Sequence, residues 1–190
     1  MPKSRVARAG AASALVIARA RKIRLLIMDV DGVMTDGHVN LIGLPDGSTA
    51  EMKSFSSQDG AGLKMARDAG IRTGIITGRD SPAVTRRARE TGIEFVFQGR
   101  AEKIPAYEEI IRAAGVEDSE VAYVGDDLPD LPILRRVGLA VAVANAVIEV
   151  KRAAHLVTKS PGGAGGVRET IEIILKAHGK WQVVAKRAKA

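Results

Sequence analysis

The feature that most constrains this chain is a short apolar run over residues 25–28 that ends in two aspartates, Asp29 and Asp31, with one residue between them. Leu, Ile and Met in a run flanked by charged residues predict a buried strand of a parallel sheet. Because neighbouring side chains of a strand point to opposite faces, Asp29 and Asp31 are expected on one face at its carboxyl end. Ligands bind at that end of open α/β sheets. Two acids this close repel each other unless a cation lies between them or one holds a proton.

Similar apolar runs recur along the chain and alternate with segments of helical periodicity. Further strands are predicted at residues 71–77, 93–98, 121–124, 139–143 and 155–158. Helices are predicted at residues 12–20, 60–69 (with Asp59 as N-cap), 78–91, 102–114, 128–137, 147–154 and 167–177. Two half-alternating segments around Pro45-Asp46-Gly47 predict a β-hairpin at about residues 38–55. The predicted fold is therefore α/β: a doubly wound (Rossmann-like) parallel sheet flanked by helices, with a hairpin insertion after the first strand.

The formal net charge of +7 is unevenly distributed along the sequence. Residues 1–24 carry seven Lys and Arg, residues 176–190 carry five, and neither segment contains an acid. Residues 25–175 carry 17 basic and 22 acidic residues, which gives a net charge of −5. The positive charge thus belongs to the two ends, and these surround an acidic globular part.

Charge and predicted elements divide the chain into three parts. A basic N-terminal extension covers residues 1–20, a globular domain covers 21–177, and a basic, mobile tail covers 178–190. The glycine-rich segment 161–166 is predicted to be a flexible loop and is interpreted as a hinge for the tail. No nucleic-acid recognition motif and no set of aromatic stacking residues accompanies the basic ends, so nucleic acid is not an expected partner.

Composition also limits the chemistry. The sequence has no cysteine, which excludes disulfides and thiolate metal sites. Any metal would be bound by oxygen or histidine, and an Asp-rich chain with three scattered histidines favours a hard cation such as Mg²⁺. No apolar run has transmembrane length, and the run at 14–18 is too short for a secretory signal. A cytoplasmic protein without a membrane partner is expected, with an organellar transit peptide as the weaker alternative.

Three later strands also end next to reactive side chains. Thr77 follows the second buried strand, Lys103 opens the helix after the third, and Asp126 directly follows the fourth, with Asp127 and Asp130 close behind. Parallel strands have their carboxyl ends at one edge of a sheet, so these groups should converge beside the first strand. Asp127 and Asp130 are better placed to orient Lys103 or metal-bound waters than to react themselves.

This combination of groups predicts phosphoryl transfer. Asp29 can attack phosphorus and form an acyl phosphate, while Asp31 protonates the leaving oxygen and then activates water. A divalent cation held by Asp29, Asp126 and a backbone carbonyl would screen the nucleophile from the phosphate. The Thr77 hydroxyl, free backbone N–H groups and the Lys103 ammonium would bind the phosphate oxygens and the developing charge.

Four segments closely resemble the four motifs of the haloacid dehalogenase superfamily. They are residues 29–37 (DVDGVMTDG), 76–79 (ITGR), 98–103 (QGRAEK) and 124–130 (VGDDLPD). Within the superfamily the chain is similar to the 3-deoxy-D-manno-octulosonate 8-phosphate (KDO 8-phosphate) phosphatases. This likeness continues at residues 55–63 (FSSQDGAGL), 138–146 (GLAVAVANA) and 165–169 (GGVRE), and covers roughly residues 20–180. The resemblance implies that Asp29 is the nucleophile, that Asp31 is the acid/base, and that Asp29, Asp126 and the main chain of Asp31 bind Mg²⁺.

The spacing of the motifs leaves no room for a cap domain. Only 47 residues separate Asp29 from Thr77, and 25 separate Thr77 from Lys103. A site covered by a hairpin alone cannot enclose a small sugar, so either the substrate is large or neighbouring subunits complete the pocket. The resemblance implies the second alternative: a homotetramer packed through the hairpins, with a neighbour's C-terminal tail reaching the site.

The resemblance also implies a substrate, which is KDO 8-phosphate, and a pathway, which is lipopolysaccharide precursor synthesis. Relatives usually carry Arg at the position of Gln58, so the exact sugar stays open, and the 9-phosphates of KDN and sialic acid are the alternative. The substrate carboxylate is assigned to Lys64, Arg79 or Arg87. The predicted phosphate- and substrate-binding residues are Gly32, Gly78, Arg79, Gln58, Asp59, Gly60, Lys64 and Arg87.

Two proteins of other classes are alternatives. A phospho-receiver domain is also doubly wound, but it accepts phosphate on an aspartate at the end of its third strand. Here the third strand ends in Phe97-Gln98, without an acid. A non-catalytic regulatory subunit would keep the fold, but it would not need Asp29, Asp31 and Lys103 together.

Overall fold

The computed structural model describes residues 13–187. Its strands are β1 (Leu25–Met28), β2 (Asn40–Gly43), β3 (Thr49–Met52), β4 (Arg72–Ile76), β5 (Phe95–Phe97), β6 (Val121–Gly125), β7 (Leu139–Ala142) and β8 (Leu156–Val157). Its α-helices are α1 (Ala14–Ala20), α2 (Ser57–Asp68), α3 (Pro82–Thr91), α4 (Lys103–Ala114), α5 (Leu131–Leu134), α6 (Ile148–Ala153), α7 (Gly166–Ala177) and α8 (Trp181–Arg187). Six of the strands form one parallel sheet in the order β5-β4-β1-β6-β7-β8. The predicted doubly wound α/β fold is confirmed.

The first strand lies in the middle of this sheet and is fully buried. It pairs in parallel with β4 on one side and β6 on the other, and every residue from Leu25 to Met28 has no exposed surface. The chain passes from β1 outward to β4 and β5, then crosses back to β6, β7 and β8. Its direction of winding therefore reverses beside β1, and such a reversal opens a ligand-binding crevice at the carboxyl ends of the strands.

The hairpin forms where it was predicted, and it stands apart from the main sheet. Its strands β2 and β3 pair antiparallel, with Leu41 opposite Glu51. The large apolar side chains that it exposes are Val39, Leu41, Ile42, Leu44 and Met52. There is no separate cap domain within the described residues, as the motif spacing predicted.

Some local predictions are wrong. Asp59 is not the N-cap of α2: the helix is capped by Ser56, whose Oγ accepts a hydrogen bond from the Asp59 N–H at 3.3 Å. The helix predicted at 128–137 is shorter and divided, because a 3₁₀ turn at Leu128–Asp130 precedes α5. Asp127 and Asp130 form a reciprocal capping box around that turn, which favours the tighter geometry at this point.

The chain after α7 contains a helix that the sequence pattern did not predict. Helix α8 packs on α7 and α2, with Val184 buried at 5% exposure. Trp181 packs against two cations of α7, with Arg168 5.2 Å and Lys176 5.1 Å from the centre of its ring. The Lys180 Nζ also donates a hydrogen bond to the Ala69 carbonyl at 2.7 Å. Most of the segment described as a mobile tail is thus docked on its own domain.

The amino-terminal end has a similar arrangement. The predicted helix at 12–20 is present as α1, and its Val16 and Ala20 side chains are buried in the core. Residues 1–12 of the predicted extension and residues 188–190 of the predicted tail lie outside the described residues. Within residues 13–187, no helix combines the length and apolar character that crossing a membrane requires.

Candidate active site

A buried ion-pair network lies at the carboxyl end of β1. Asp29 directly follows β1, and Lys103 is the first residue of α4. The Lys103 Nζ donates hydrogen bonds to Asp29 Oδ1 at 2.6 Å and to Asp130 Oδ1 at 2.8 Å. Burial would lower the pKa of Lys103, but the charges of Asp29 and Asp130 outweigh it and raise the pKa above its usual value. The lysine therefore remains a cation between two acids.

Asp130 is held more firmly than the other acids. Its Oδ1 also accepts from the Tyr123 hydroxyl at 2.7 Å, and its Oδ2 accepts the N–H groups of Asp126 at 2.9 Å and Asp127 at 3.2 Å. The residue is only 1% exposed. Because both its oxygens are occupied, Asp130 anchors Lys103. Asp127, in contrast, is exposed and accepts from the Leu128 N–H at 2.8 Å, so it caps the turn and does not contact Lys103.

Three acidic side chains near the carboxyl ends of β1 and β6 form a candidate cation site. One carboxylate oxygen from each of Asp29, Asp126 and Asp130 lies within 4.8 Å of the others. The Asp126 Oδ1 is buried and has no hydrogen-bond partner among the described residues. Burial, followed by repulsion from Asp29 and Asp130, raises the pKa of Asp126 to about 8. Burial also raises the pKa of Asp29 to about 6, although Lys103 opposes this.

An unpaired, buried carboxylate is unfavourable unless a cation or a proton neutralises it. The donor set is oxygen only, which suits a hard divalent ion. Since donors already occupy both oxygens of Asp130, Asp29 and Asp126 are the better placed of the three as metal ligands. The residues present therefore fit the predicted metal, whose third predicted ligand is the main chain of Asp31.

Gly32 allows the loop after β1 to approach Asp126. It has a φ of 90°, which favours glycine, and a Cβ at this position would overlap the Asp126 carboxylate. The Gly32 carbonyl accepts from Asn145 Nδ2 at 2.9 Å, and Asn145 Oδ1 accepts from the Gly162 N–H at 2.7 Å. A Cβ at Gly162 would overlap the Gly32 carbonyl. The segment 161–166, predicted to be a flexible hinge, is instead packed against the aspartate loop.

Asp31, two residues after Asp29, is in contact with the hairpin. The Lys53 Nζ donates a hydrogen bond to Asp31 Oδ1 and is 3.4 Å from the Glu51 carboxylate. Arg79 bonds Glu51 at 3.0 Å, and its Nε is 3.9 Å from Asp31 Oδ2. Sequence reasoning missed Lys53 and Glu51. The signal available was a pair of opposite charges two residues apart at the return end of the hairpin, just before the conspicuous segment 55–63.

Thr77 and Gly78 lie at the same edge of the sheet. Thr77 follows β4, which pairs with β1, and it is 2% exposed with its N–H donated to the Phe97 carbonyl at 2.9 Å. Its Oγ1 accepts weakly from the Arg79 N–H at 3.5 Å. Gly78 is exposed, and the space where a Cβ would stand is open. This loop therefore presents backbone to the crevice where an anion can approach it.

Comparison with known proteins gives a consistent result. A sequence model of the haloacid dehalogenase-like hydrolases matches residues 88–171. The 3-deoxy-D-manno-octulosonate 8-phosphate phosphatase KdsC of Escherichia coli (strain K12) is 42% identical over 171 residues, which are 90% of this chain and 89% of that protein. The chain belongs to the KDO 8-phosphate phosphatase family.

Solved structures of this phosphatase family match the fold over most of its length. The Yersinia pestis enzyme is 42% identical, with a TM-score of 0.84 over 89% of each chain. The Moraxella catarrhalis enzyme, solved in complex with magnesium, phosphate and KDO, is 39% identical, with a TM-score of 0.85 over 91% of this chain and 97% of that one. Family membership confirms the predicted enzyme class and leaves no support for a phospho-receiver domain.

The residues that we predicted to bind the sugar lie on helices α2 and α3. Gln58 is exposed beside Gly165, and Lys64 is exposed on α2. Arg87 is half-buried, donates to the Ser56 carbonyl at 2.8 Å and lies so close to Gly60 that a Cβ there would overlap its guanidinium. The structure does not bring these residues into contact with the ion-pair network around Lys103.

Asp59 has a different environment from the one predicted. It is 3% exposed, and its two carboxylate oxygens accept the N–H groups of Arg168 at 2.7 Å and Gly165 at 3.3 Å. Burial raises its pKa, and these two hydrogen bonds oppose the rise. Because these N–H groups begin α7, we interpret Asp59 as the residue that anchors this helix to α2.

Proposed function

We propose that this protein hydrolyses KDO 8-phosphate to KDO and inorganic phosphate, with Mg²⁺ as its cofactor. The observation that carries the proposal is the Lys103–Asp29 ion pair beside the unpaired carboxylate of Asp126, in a chain 42% identical to a KDO 8-phosphate phosphatase. Phosphoryl transfer through an aspartate requires a nucleophile, a fixed cation and a metal-binding carboxylate. Asp29, Lys103 and Asp126 are these groups in our proposal, and they lie at one edge of the sheet.

The first half of the reaction transfers the phosphoryl group to Asp29. A carboxylate oxygen of Asp29 bonds to phosphorus as the bond between phosphorus and the sugar oxygen breaks. Asp31 gives its proton to that oxygen, so that KDO leaves as an alcohol and not as an alkoxide. Lys103, bonded to Asp29 at 2.6 Å, favours the reactive carboxylate form of the nucleophile.

The second half releases the phosphate. Asp31, now a carboxylate, takes a proton from a water molecule whose oxygen bonds to phosphorus, and the bond to Asp29 breaks. Free phosphate, the Asp29 carboxylate and the protonated Asp31 are restored. The Thr77 hydroxyl and the backbone N–H group of Gly78 are the donors that we assign to the phosphate oxygens. The Gly32 N–H, which donates to Thr35 Oγ1 at 3.3 Å, would have to leave that long hydrogen bond to join them.

The metal acts alongside these residues. Asp29, Asp126 and the Asp31 main-chain carbonyl would hold Mg²⁺, which would neutralise the negative charge of the nucleophile and the phosphate. The raised pKa of Asp126 gives this assignment an electrostatic reason, since a cation is what an unpaired buried carboxylate lacks.

Neighbouring subunits complete the pocket in this proposal, as a homotetramer packed through the hairpins. Two observations support it: residues 13–187 contain no cap over the crevice, and β2 and β3 with their flanking residues expose large apolar side chains on both faces of the hairpin. Leu41 is 63% exposed and Ile42 48%, on strands only four residues long. Apolar side chains gathered on such a small element favour burial against a second copy. Sedimentation equilibrium should give the mass of four chains, and a monomer would exclude this arrangement.

The substrate assignment is tested by phosphate release from KDO 8-phosphate, KDN 9-phosphate and sialic acid 9-phosphate, each with Mg²⁺ and with EDTA. We expect the highest kcat/KM for KDO 8-phosphate and no release in EDTA. A higher kcat/KM for a nine-carbon substrate would show that the protein acts on that sugar acid and not on KDO 8-phosphate. Gln58 would then be the first residue to substitute, because relatives usually carry Arg at this position. No release from any of the three in Mg²⁺ would refute the phosphatase function.

A further inference from the structure

A lysine of the hairpin is buried at the edge of the proposed active site. Lys53 comes one residue after β3, and its side chain is only 2% exposed. Its ammonium lies between two acids, bonded to Asp31 Oδ1 and 3.4 Å from Glu51 Oε1. Most of the hairpin is exposed, so this buried cation is an exception within its own element.

Such a placement is not explained by the stability of the hairpin. Burying an ammonium is unfavourable, and apolar residues of similar volume in place of a buried ion pair often give equal or greater stability. The hairpin could contact the domain through apolar side chains alone, but it places the ammonium of Lys53 against Asp31. The resulting contact joins β3 to the loop that carries both reactive aspartates.

We propose that Lys53 is a positioning residue for Asp31, and that the hairpin is thereby a working part of the active site. The inference rests on the proposed function, in which Asp31 passes a proton to the leaving oxygen and later takes one from water. By bonding Oδ1, Lys53 fixes the rotation of the Asp31 carboxylate. The second oxygen, Oδ2, accepts no hydrogen bond from residues 13–187 and is available for proton transfer, with the Arg79 Nε 3.9 Å away.

This role has a kinetic consequence that a merely structural lysine would not have. A sugar alkoxide is a poor leaving group and needs the proton of Asp31, whereas p-nitrophenolate departs without one. The value of kcat/KM reports the steps up to the departure of the leaving group and is independent of the later hydrolysis of the aspartyl phosphate. Loss of Lys53 should therefore reduce kcat/KM for the sugar phosphate selectively.

The experiment compares kcat/KM for KDO 8-phosphate and p-nitrophenyl phosphate in the wild type, Lys53→Met and Lys53→Arg, all with Mg²⁺. We expect Lys53→Met to lower the value for the sugar phosphate by about 10- to 100-fold and the value for p-nitrophenyl phosphate by less than about 3-fold. Lys53→Arg should recover part of the loss. Lys22→Met, an exposed lysine before β1 at the opposite edge of the sheet, should change neither value.

A second comparison uses Asp31→Asn as the background. If Lys53 acts through Asp31, adding Lys53→Met to Asp31→Asn should cause no further loss of kcat/KM for the sugar phosphate. A further loss of the same size would show that Lys53 acts independently, for example on the sugar carboxylate, and would overturn the inference. Equal losses for both substrates in Lys53→Met would overturn it as well.

Two further outcomes are distinguishable. Should Lys53→Met fail to fold, Lys53→Gln keeps a hydrogen-bond donor of similar length and carries the same expectation, with a smaller selective loss. A wild-type protein that hydrolyses neither substrate with Mg²⁺ would refute the proposed function itself. A wild type that is active on both, with Lys53 variants that are indifferent to the leaving group, would refute the positioning role alone.

Discussion

The side chains on the two sides of the proposed site differ in how deeply they are buried and in which elements hold them in place. On the sheet side, Asp29, Lys103 and Asp130 are 7%, 6% and 1% exposed, and they are held by a six-stranded sheet and by hydrogen bonds to backbone. On the hairpin side, the side chains of Asp31 and Arg79 are 21% and 46% exposed, and their partners come from a separate two-stranded hairpin.

The difference separates two tasks. The nucleophile and its cation must keep their geometry to within a fraction of an ångström, and burial in a rigid sheet provides this. In the proposed mechanism, proton transfer depends on contacts with a small and largely exposed element that neighbouring molecules can reach. We therefore expect changes on the sheet side to affect both turnover and stability, and changes on the hairpin side to affect selectivity and assembly.

The largest effect should come from the nucleophile. Asp29→Asn should lower turnover by roughly 10⁴-fold or more, because an amide cannot form the phosphorylated intermediate. Phosphate release measures the loss, and circular dichroism checks that the fold is kept. Asp68→Asn, at the exposed end of α2, should stay within about 2-fold of the wild type. Full turnover by Asp29→Asn would disprove covalent transfer to Asp29.

The two buried lysines allow the two sides to be compared directly by urea unfolding. Lys103→Met leaves Asp29 and Asp130 buried without their cation and should lower the free energy of unfolding by about 3–5 kcal/mol at pH 8. Lys53→Met should lower it by only about 1–3 kcal/mol, since its partners Asp31 and Glu51 reach water. Equal losses would show that the hairpin side is as firmly built as the sheet side.

The metal-free protein should lose stability as the pH rises. The pKa values of Asp29 and Asp126 in the folded state are about 6 and about 8, against 3.8 for an ordinary aspartate. Between about pH 4 and pH 8 the folded state therefore binds more protons than the unfolded state, and the free energy of unfolding falls with rising pH. A loss of about 2 kcal/mol would lower Tm by about 4–8 °C between pH 5.5 and pH 8 in EDTA.

Mg²⁺ should reverse this trend because it binds the deprotonated acids. It should raise Tm more at pH 8 than at pH 5.5. Asp126→Asn should flatten the pH dependence in EDTA and reduce the response to Mg²⁺. A Tm that rises with pH in EDTA would contradict the proposed electrostatics of the sheet side.

The smallest effect on the folded subunit should come from the exposed apolar side chains of the hairpin. Leu41→Asp should change the free energy of unfolding of the subunit by about 0.5 kcal/mol or less. It should nevertheless dissociate the proposed tetramer, as measured by sedimentation. Leu26→Ala, the same residue type fully buried in β1, should cost about 2–5 kcal/mol and leave the assembly of the folded fraction unchanged. A tetramer that persists in Leu41→Asp would contradict the proposal that the subunits pack through their hairpins.

The sheet side was largely predictable from sequence, and the reason is periodicity. The apolar runs that end at Asp29, Thr77 and Asp126 became β1, β4 and β6, and a parallel sheet brings their carboxyl ends together. Lys103 was predictable because it begins the helix after β5. The local pattern, the fold and the chemistry agree here, so each supports the others.

The hairpin side and the chain ends were less predictable because their structure depends on contacts between distant residues. The opposite charges of Glu51 and Lys53 draw attention to the end of the hairpin, but they do not indicate that Lys53 will reach Asp31, 22 residues earlier. Similarly, Asp59 resembles a local helix cap, but it accepts the N–H of Arg168, 109 residues later. The glycines of segment 161–166 resemble a flexible linker, yet Gly162 lacks a side chain because the Gly32 carbonyl occupies that space.

The position of Trp181 has a practical consequence. It is the single tryptophan of the chain, and it packs against Arg168 and Lys176 where α8 meets α7, with no contact to the network around Asp29. Its fluorescence is therefore sensitive to the docking of the carboxyl-terminal helix. An emission spectrum recorded during turnover would reveal whether that helix leaves its own subunit while the aspartates work, without any label being added to the protein.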